Sequence, residues 1–184
     1  MKENQRVAVT RRMLQEGLMR LLQDKHIDSI KVTELCAASG INRATFYRYY
    51  QSPRDVLDQM RREILTGIHD LVPAAGGAWD PLQYLTAICR YFYDRKKQMQ
   101  TLFRYRTDEG FIQLLNQFTQ ERLDALERMD RPIQIDPTDL KLASCYYAGG
   151  AFYILRQWLT EDIDRTPEQI ARLMYRFITA KVDA

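Results

Sequence analysis

The stretch from Ile30 to Tyr50 reads Ile-Lys-Val-Thr-Glu-Leu-Cys-Ala-Ala-Ser-Gly-Ile-Asn-Arg-Ala-Thr-Phe-Tyr-Arg-Tyr-Tyr, and it decides the fold of this chain. It contains two short helical patterns that meet at Ser39-Gly40. Gly40 can take the left-handed backbone conformation that ends a helix, and Asn42 can cap the helix that follows. Cys36 fits a small buried position that lets two helices approach each other at a wide angle. The pattern predicts a helix-turn-helix.

The second helix of this pair is predicted to have one buried and one exposed face. Phe46 and Tyr50 are four residues apart and share the side on which Ile41 fills the space between the helices. The opposite side carries Arg43, Ala44, Tyr47 and Arg48. Arginine can pair with guanine or phosphate through two hydrogen bonds, tyrosine can reach a phosphate oxygen or a thymine methyl group, and alanine permits close approach. These side chains favour double-stranded DNA as the partner.

A recognition helix over residues 43–50 would be only about 12 Å long, at about 1.5 Å per residue. Its exposed face could contact only a few base pairs, so one copy supplies little sequence specificity. We therefore expect a homodimer on a pseudo-palindromic operator, with half-sites about one helical turn of DNA apart or somewhat more.

Four helix starts are marked by a capping residue followed directly by proline: Ser52-Pro53, Asp80-Pro81, Asp136-Pro137 and Thr166-Pro167. The capping side chain accepts a hydrogen bond from a free backbone N–H, and proline at the first helical position needs no donor. Three residues after each cap stands a carboxylate or amide that could complete a capping box, namely Asp55, Gln83, Asp139 and Gln169.

Apolar residues recur at helical spacing along the chain, and no segment alternates convincingly as a strand would. The predicted fold is all-α, with about nine helices near 6–24, 32–39, 43–50, 53–72, 81–94, 96–104, 108–129, 137–160 and 167–181. We expect an N-terminal three-helix helix-turn-helix head, the DNA-binding domain, over residues 1–52. A C-terminal helical bundle over residues 53–184 would form the ligand-sensing and dimerisation domain.

Positive charge is concentrated at the front of the 184-residue chain. Residues 1–62 hold 12 Lys or Arg and 7 Asp or Glu, whereas the remainder holds 15 and 17. A basic head on a near-neutral body is typical of nucleic-acid binding. No apolar run approaches the roughly 20 residues that span a membrane, and the start is not signal-like, so we expect a cytoplasmic protein with no membrane partner.

Cysteine and histidine give no sign of a reactive centre. Cys36, Cys89 and Cys145 are odd in number and far apart, and we expect them to be reduced, small core residues. His26 and His69 lack metal-ligand spacing, and the chain has neither a nucleophile elbow nor a phosphate-binding glycine loop. The sequence predicts no enzyme activity, no cofactor and no metal site.

The segment from Val32 to Leu57, with Gly40-Ile41-Asn42-Arg43-Ala44-Thr45-Phe46-Tyr47-Arg48-Tyr49-Tyr50 at its centre, resembles the head of TetR-type (TetR/AcrR) transcriptional regulators. The resemblance covers roughly residues 6–60. It implies a ligand-responsive regulator, by family precedent a repressor, in which a small-molecule effector changes DNA binding. It also implies that Thr45 and Tyr47 contact phosphates and that Arg43, Ala44 and Arg48 face the bases.

Two positions depart from the pattern of that family. Its members commonly cap the second helix with Ser or Thr where this chain has Lys31, which cannot accept a backbone hydrogen bond. Ser29 or Thr33 could replace the cap, and Lys31 could itself reach a phosphate. Where the family often has lysine this chain has Pro53, so Arg54 would take the phosphate contact. The full set of predicted DNA-binding residues is Lys31, Thr33, Asn42, Arg43, Ala44, Thr45, Tyr47, Arg48 and Arg54.

The body carries two further predictions. Side chains between its helices could line a pocket for an apolar or aromatic effector or could simply be core; the candidates are Tyr91, Met99, Phe103, Phe111, Tyr146, Tyr153 and Trp158. Gly149-Gly150 lies inside a predicted helix, where each glycine costs about 1 kcal/mol. We expect these glycines to permit a close approach, either within one subunit or in a dimer interface of the last two long helices. The candidate interface residues are Gly149, Gly150, Ile154, Leu173 and Phe177.

Two other functions stay open. The same fold could serve as a co-regulator that contacts a partner protein through its exposed aromatic side chains, or as a carrier of small molecules. The basic Arg43 and Arg48 on the reading face favour DNA. A steep salt dependence of DNA binding would distinguish a direct DNA contact from both alternatives.

Overall fold

The computed structural model describes residues 2–71, 80–103 and 136–179. Their regular secondary structure is helical throughout, so the prediction of an all-α fold is confirmed. The helices are α1 Lys2–Leu21, α2 Val32–Ser39, α3 Arg43–Tyr47, α4 Pro53–His69, α5 Pro81–Tyr93, α6 Lys96–Phe103, α7 Pro137–Thr160 and α8 Pro167–Thr179, with a 3-10 turn at Ile27–Ser29. The predicted helix over 108–129 lies outside the described residues.

The four helix starts predicted from a cap and a proline are confirmed. At α4, the Ser52 hydroxyl accepts the Asp55 N–H at 3.3 Å, and the Asp55 carboxylate accepts the Ser52 N–H at 3.0 Å. At α8, Thr166 and Gln169 exchange the same two hydrogen bonds, at 3.3 and 3.0 Å. The side chains of Asp80 and Asp136 cap α5 and α7. Each cap satisfies backbone donors that a helix end would otherwise leave free.

The chain divides into two compact units, one up to Ile64 and one from Leu65 onward, and this division falls within α4. The predicted domain boundary after residue 52 concerns which segments fold on their own, and it stays a prediction. No helix in the described part of the chain is long and apolar enough to cross a membrane.

In the first unit, α1 and α2 approach each other closely because Gly17 has no side chain. A Cβ atom at Gly17 would lie 2.9 Å from the Ser39 Cβ and 3.0 Å from the Ser39 backbone nitrogen. The buried Ser39 hydroxyl donates to the Leu35 carbonyl at 2.7 Å, so its polar group is satisfied. The fully buried side chains of this unit include Leu14, Leu18, Leu35, Phe46 and Val56.

The N-terminus of α2 is stabilised by a hydrogen bond that was not predicted from the sequence. Neither Ser29 nor Thr33 caps the helix, and both suggestions are wrong. Instead the Lys31 N–H donates to the Glu34 carboxylate at 2.8 Å, which is the return half of a capping box. The pKa of Glu34 lies below its usual value because the carboxylate accepts hydrogen bonds from the Lys25 ammonium group and from the Lys31 N–H.

Aromatic contacts link α5, α6 and α7 within the second unit. The Phe103 ring stacks on Phe92 with 6.3 Å between centroids and meets Phe152 edge-on at 5.3 Å. The Trp158 ring stacks on Tyr93 at 5.5 Å. Edge-on and offset rings stabilise a core beyond the area that they bury, so this cluster fixes how the three helices pack.

Candidate nucleic-acid interface

The turn before α3 has the geometry that the sequence predicts. Gly40 adopts φ 68° and ψ 19°, the left-handed conformation in which a side chain would be strained. The Asn42 side chain accepts a hydrogen bond from the Thr45 N–H at 2.8 Å and so caps α3. Because α2, this turn and α3 follow one another in the predicted order, the first unit contains a helix-turn-helix.

The third helix is shorter than predicted, with five residues, Arg43–Tyr47, instead of 43–50. Beyond it the N–H groups of Tyr49 and Tyr50 both donate to the Phe46 carbonyl at 3.0 Å, in a turn. Five residues at about 1.5 Å each span only about 7.5 Å. The face of α3 can therefore reach even fewer base pairs than an eight-residue helix would.

The two faces of α3 separate as predicted. Phe46 is fully buried and Tyr50 nearly so, whereas 51% of Tyr47 is exposed. The Arg43 guanidinium lies 6.0 Å from the centroid of the Tyr47 ring, so a cation and an aromatic ring form one exposed patch. Ala44 and Arg48 are exposed on the same side.

The other predicted DNA-binding residues also reach the surface of the first unit. Lys31, Thr33, Asn42 and Arg54 are exposed and Thr45 is half-buried. Within the described ranges, Arg54 is the one basic side chain of the predicted set that forms an ion pair, and its partner is Asp28. The predicted set therefore presents four exposed basic side chains, and in the described ranges Arg54 is the one that is paired with a carboxylate.

Residues 80–180 match the TetR family model that is described as the C-terminal region of transcriptional regulators. The match covers more than half of the chain. The chain belongs to the TetR family of transcriptional regulators. A curated relative from Bacillus subtilis strain 168, the uncharacterized HTH-type transcriptional regulator YxbF, is 20% identical over 176 residues. The match covers 91% of this chain and 44% of the relative, so the chain spans less than half of that protein's length.

Solved structures of TetR-family regulators share this fold. A TetR transcriptional regulator from Streptococcus agalactiae 2603V is 18% identical, with a TM-score of 0.68 over 97% of this chain and 98% of its own. The dihydroxyacetone kinase operon activator DhaS is 16% identical, with a TM-score of 0.57 over 92% of this chain and 93% of its own. At these identities the likeness establishes the fold alone.

The residues predicted to line the effector pocket of this TetR-family protein are not brought together. Met99, Phe103 and Trp158 are core side chains, each exposed by 2% or less. Tyr146 and Tyr153 lie on α7 and are 77% and 55% exposed. The first three side chains are therefore enclosed in the core of the second unit, whereas the two tyrosines lie at its surface.

Tyr91, another predicted pocket residue, lines an open cavity of about 640 Å³ along α5. The Arg95 guanidinium lies 3.9 Å from the centroid of its ring. A Cβ atom at Gly67 would overlap the Tyr91 hydroxyl, so glycine at this position leaves room for the ring. Phe111, the remaining pocket candidate, lies outside the described residues.

The predicted dimer residues lie at the surface of the second unit. No described atom approaches within 4 Å of a Cβ built at Gly149 or Gly150, so a close contact inside one subunit is not found in the ranges described. Leu173 and Phe177 on α8 are 38% and 61% exposed, and Ile154 is half-buried. The glycines and these apolar side chains are thus available to a second copy.

The expectation that every cysteine is a core residue is wrong for Cys145, which is exposed on α7. Cys36 and Cys89 are buried as expected. Burial raises the pKa of the Cys89 thiol to about 12. Position 145 lies within one turn of Leu142 and Tyr146, whose side chains are also exposed, so the helical periodicity there does not mark a buried face.

Three residues of the first unit have roles that were not predicted from the sequence: Gly17, Glu34 and Asp28. A signal existed for the first two, because a glycine inside a helical pattern costs about 1 kcal/mol and a glutamate three residues after a cap position can complete a capping box. The contact between Asp28 and Arg54 joins the 3-10 turn to α4, and no local pattern indicates it.

Proposed function

We propose that this TetR-family protein regulates transcription by binding a pseudo-palindromic operator, with α3 in the major groove. The observation that carries the proposal is the exposed face of α3, where Arg43, Ala44, Tyr47 and Arg48 stand opposite the buried Phe46. A guanidinium group offers paired donors that match guanine or phosphate, and alanine leaves room for close approach. The surrounding phosphate contacts are proposed to come from Lys31, Thr33, Asn42, Thr45 and Arg54.

A mobility-shift assay on duplex DNA from the region upstream of the protein's own gene tests this function. We expect specific retardation at 50 mM salt, and an affinity about 10³-fold lower at 200 mM if six or more phosphates are contacted. Equal retardation of a random duplex of the same length would contradict a specific operator. Absence of retardation at low salt would favour a co-regulator that contacts a partner protein.

We propose that two copies associate through α7 and α8. Tyr146 and Tyr153 on α7 and Phe177 on α8 are each more than half exposed, which leaves large apolar groups in water if the subunit stands alone. Gly149 lies between the two tyrosines in sequence and has open space around it, so a second helix could approach the backbone there. Since α3 contacts few base pairs, a second copy would also supply the missing DNA contacts.

Gly149→Leu is expected to convert a dimer to a monomer at micromolar concentration, because the larger side chain would hold the two copies apart. Sedimentation velocity measures this directly. In a chain that is a monomer throughout, the same change adds a better helix former in open space and raises the melting temperature. Lys97→Leu places the same side chain at an exposed position of α6 and should leave the dimer intact. A wild-type monomer at micromolar concentration would contradict the proposal.

We propose that a small-molecule effector binds in the cavity beside Tyr91 and alters DNA binding. The cavity volume of about 640 Å³ lies within the range of about 300–1,000 Å³ that is usual for ligand sites. Effector and operator must influence each other equally, and a hundredfold change in affinity corresponds to about 2.7 kcal/mol of coupling. Family precedent favours repression, although the similar DhaS is named an operon activator.

A further inference from the structure

We propose that Asp28 is an intramolecular competitor for DNA. Its carboxylate binds the Arg54 guanidinium that would otherwise bind a phosphate, and it thereby sets how strongly the head binds any duplex. This inference rests on the proposed DNA binding by the first unit, and it assigns to Asp28 a role that lowers affinity.

The contact joins two elements of the first unit. Asp28 lies in the 3-10 turn Ile27–Ser29, and Arg54 lies in the first turn of α4, where its Nη2 donates to the Asp28 Oδ1. The turn is held by the Ser29 hydroxyl, which donates to the His26 carbonyl at 2.7 Å, and by the Asp28 N–H, which donates to the His26 Nδ1 at 3.4 Å. Local hydrogen bonds therefore present the carboxylate at a fixed place beside α4.

Arg54 differs from the other exposed cations near α3. Lys31, Arg43 and Arg48 form no ion pair with any residue in the described ranges. The Glu34 carboxylate binds the Lys31 N–H and also interacts with the Lys31 charge at longer range, whereas Arg43 and Arg48 have no carboxylate bound to them in those ranges. A carboxylate oxygen and a phosphate oxygen offer a guanidinium the same kind of charged acceptor. For Arg54 to bind a phosphate, it must leave Asp28, and the loss of this ion pair reduces the net gain from the phosphate contact.

The exposure of Arg54 and Asp28 limits how much their ion pair can change the affinity for DNA. Arg54 and Asp28 are 46% and 61% exposed, and water and salt screen such a pair, which limits its strength. We expect a change of a few-fold in affinity and not an on–off switch. Because phosphate contacts carry no direct sequence information, the change should be equal on operator and on random DNA.

The test measures the affinity of the full-length protein for the upstream duplex and for a random duplex of equal length, at one fixed salt concentration. Asp28→Asn keeps the shape of the side chain and removes its charge, and we expect both duplexes to bind roughly two- to fivefold more tightly. Arg54→Gln should lower the affinity for both duplexes. When Asp28→Asn is combined with Arg54→Gln, the affinity should not change further. Asp24→Asn changes the net charge equally at an exposed residue that has no ion pair in the described ranges, and its effect should stay under about twofold.

Three outcomes would overturn the inference while leaving the proposed function intact. The first is an unchanged affinity for DNA in Asp28→Asn. The second is a gain in affinity that Asp24→Asn reproduces, or that persists in the Arg54→Gln background, because such a gain would indicate a general effect of charge. A third is weaker binding in Asp28→Asn, because Asp28 would then position Arg54 for DNA. If the wild-type protein retards neither duplex at low salt, the proposed function fails and this inference fails with it.

Discussion

Replacing Tyr47 and Arg48 together with alanine is expected to remove specific retardation of the operator duplex. Arg48 is proposed to face the bases, and a base contact of this kind contributes about 1–3 kcal/mol of discrimination. A symmetric dimer would lose this base contact at both half-sites. The affinity for the operator should therefore fall by at least roughly thirtyfold, which corresponds to about 2 kcal/mol. Weak, salt-sensitive binding to any duplex should remain, because the phosphate contacts proposed for Lys31, Thr33, Asn42, Thr45 and Arg54 are retained.

Melting followed by circular dichroism accompanies this measurement, because a loss of DNA binding is informative only in a folded protein. Tyr47 is 51% exposed and its ring touches Phe46 edge-on at 5.5 Å, so its removal should cost the head little. Lys97→Ala removes one positive charge at an exposed site of the second unit and should leave operator binding unchanged. Specific retardation that persists in the double variant would exclude α3 as the reading helix.

Phe103→Ala is expected to lower the free energy of unfolding by about 3–5 kcal/mol, because it opens a cavity in a packed core. Phe103 is 2% exposed and contacts the rings of Phe92 and Phe152. Chemical denaturation at one fixed protein concentration measures the change, since association also contributes to the stability of a dimer.

A comparison variant separates a core role of Phe103 from a role in an effector pocket. Phe103→Leu retains most of the apolar volume and should cost less than about 1.5 kcal/mol. A Phe103→Ala protein that is as stable as the wild type would indicate that the ring faces an open pocket, which is one of the two alternatives that the sequence left open. The effector would then be sought between α6 and α7 instead of beside Tyr91.

The features that the sequence predicted correctly depend on neighbours along the chain. A cap followed by proline specifies a helix start by its own hydrogen bonds, and all four such starts are present. Gly40 and Asn42 fix the turn before α3 for the same reason. The opposite faces of α3 follow from helical periodicity, which needs no knowledge of the rest of the fold.

The features that the sequence left open depend on residues distant along the chain. Gly17 is required only because Ser39 lies against it, and Asp28 matters only because Arg54 reaches it. The sequence left the pocket residues undecided for a related reason: an aromatic residue such as Phe103 fits a core and a ligand site equally well. Only packing shows that Phe103 is enclosed while Tyr91 borders open space.

The single exposed thiol at Cys145 makes the wild-type chain suitable for distance measurements by electron spin resonance. The other two cysteines are buried, and burial raises the pKa of both, so at neutral pH they stay protonated and slow to react. A maleimide spin label would therefore attach at one defined point on α7, beside the surface proposed to pair. Two labelled copies related by a two-fold axis would report one label-to-label distance, and no cysteine would have to be introduced or removed.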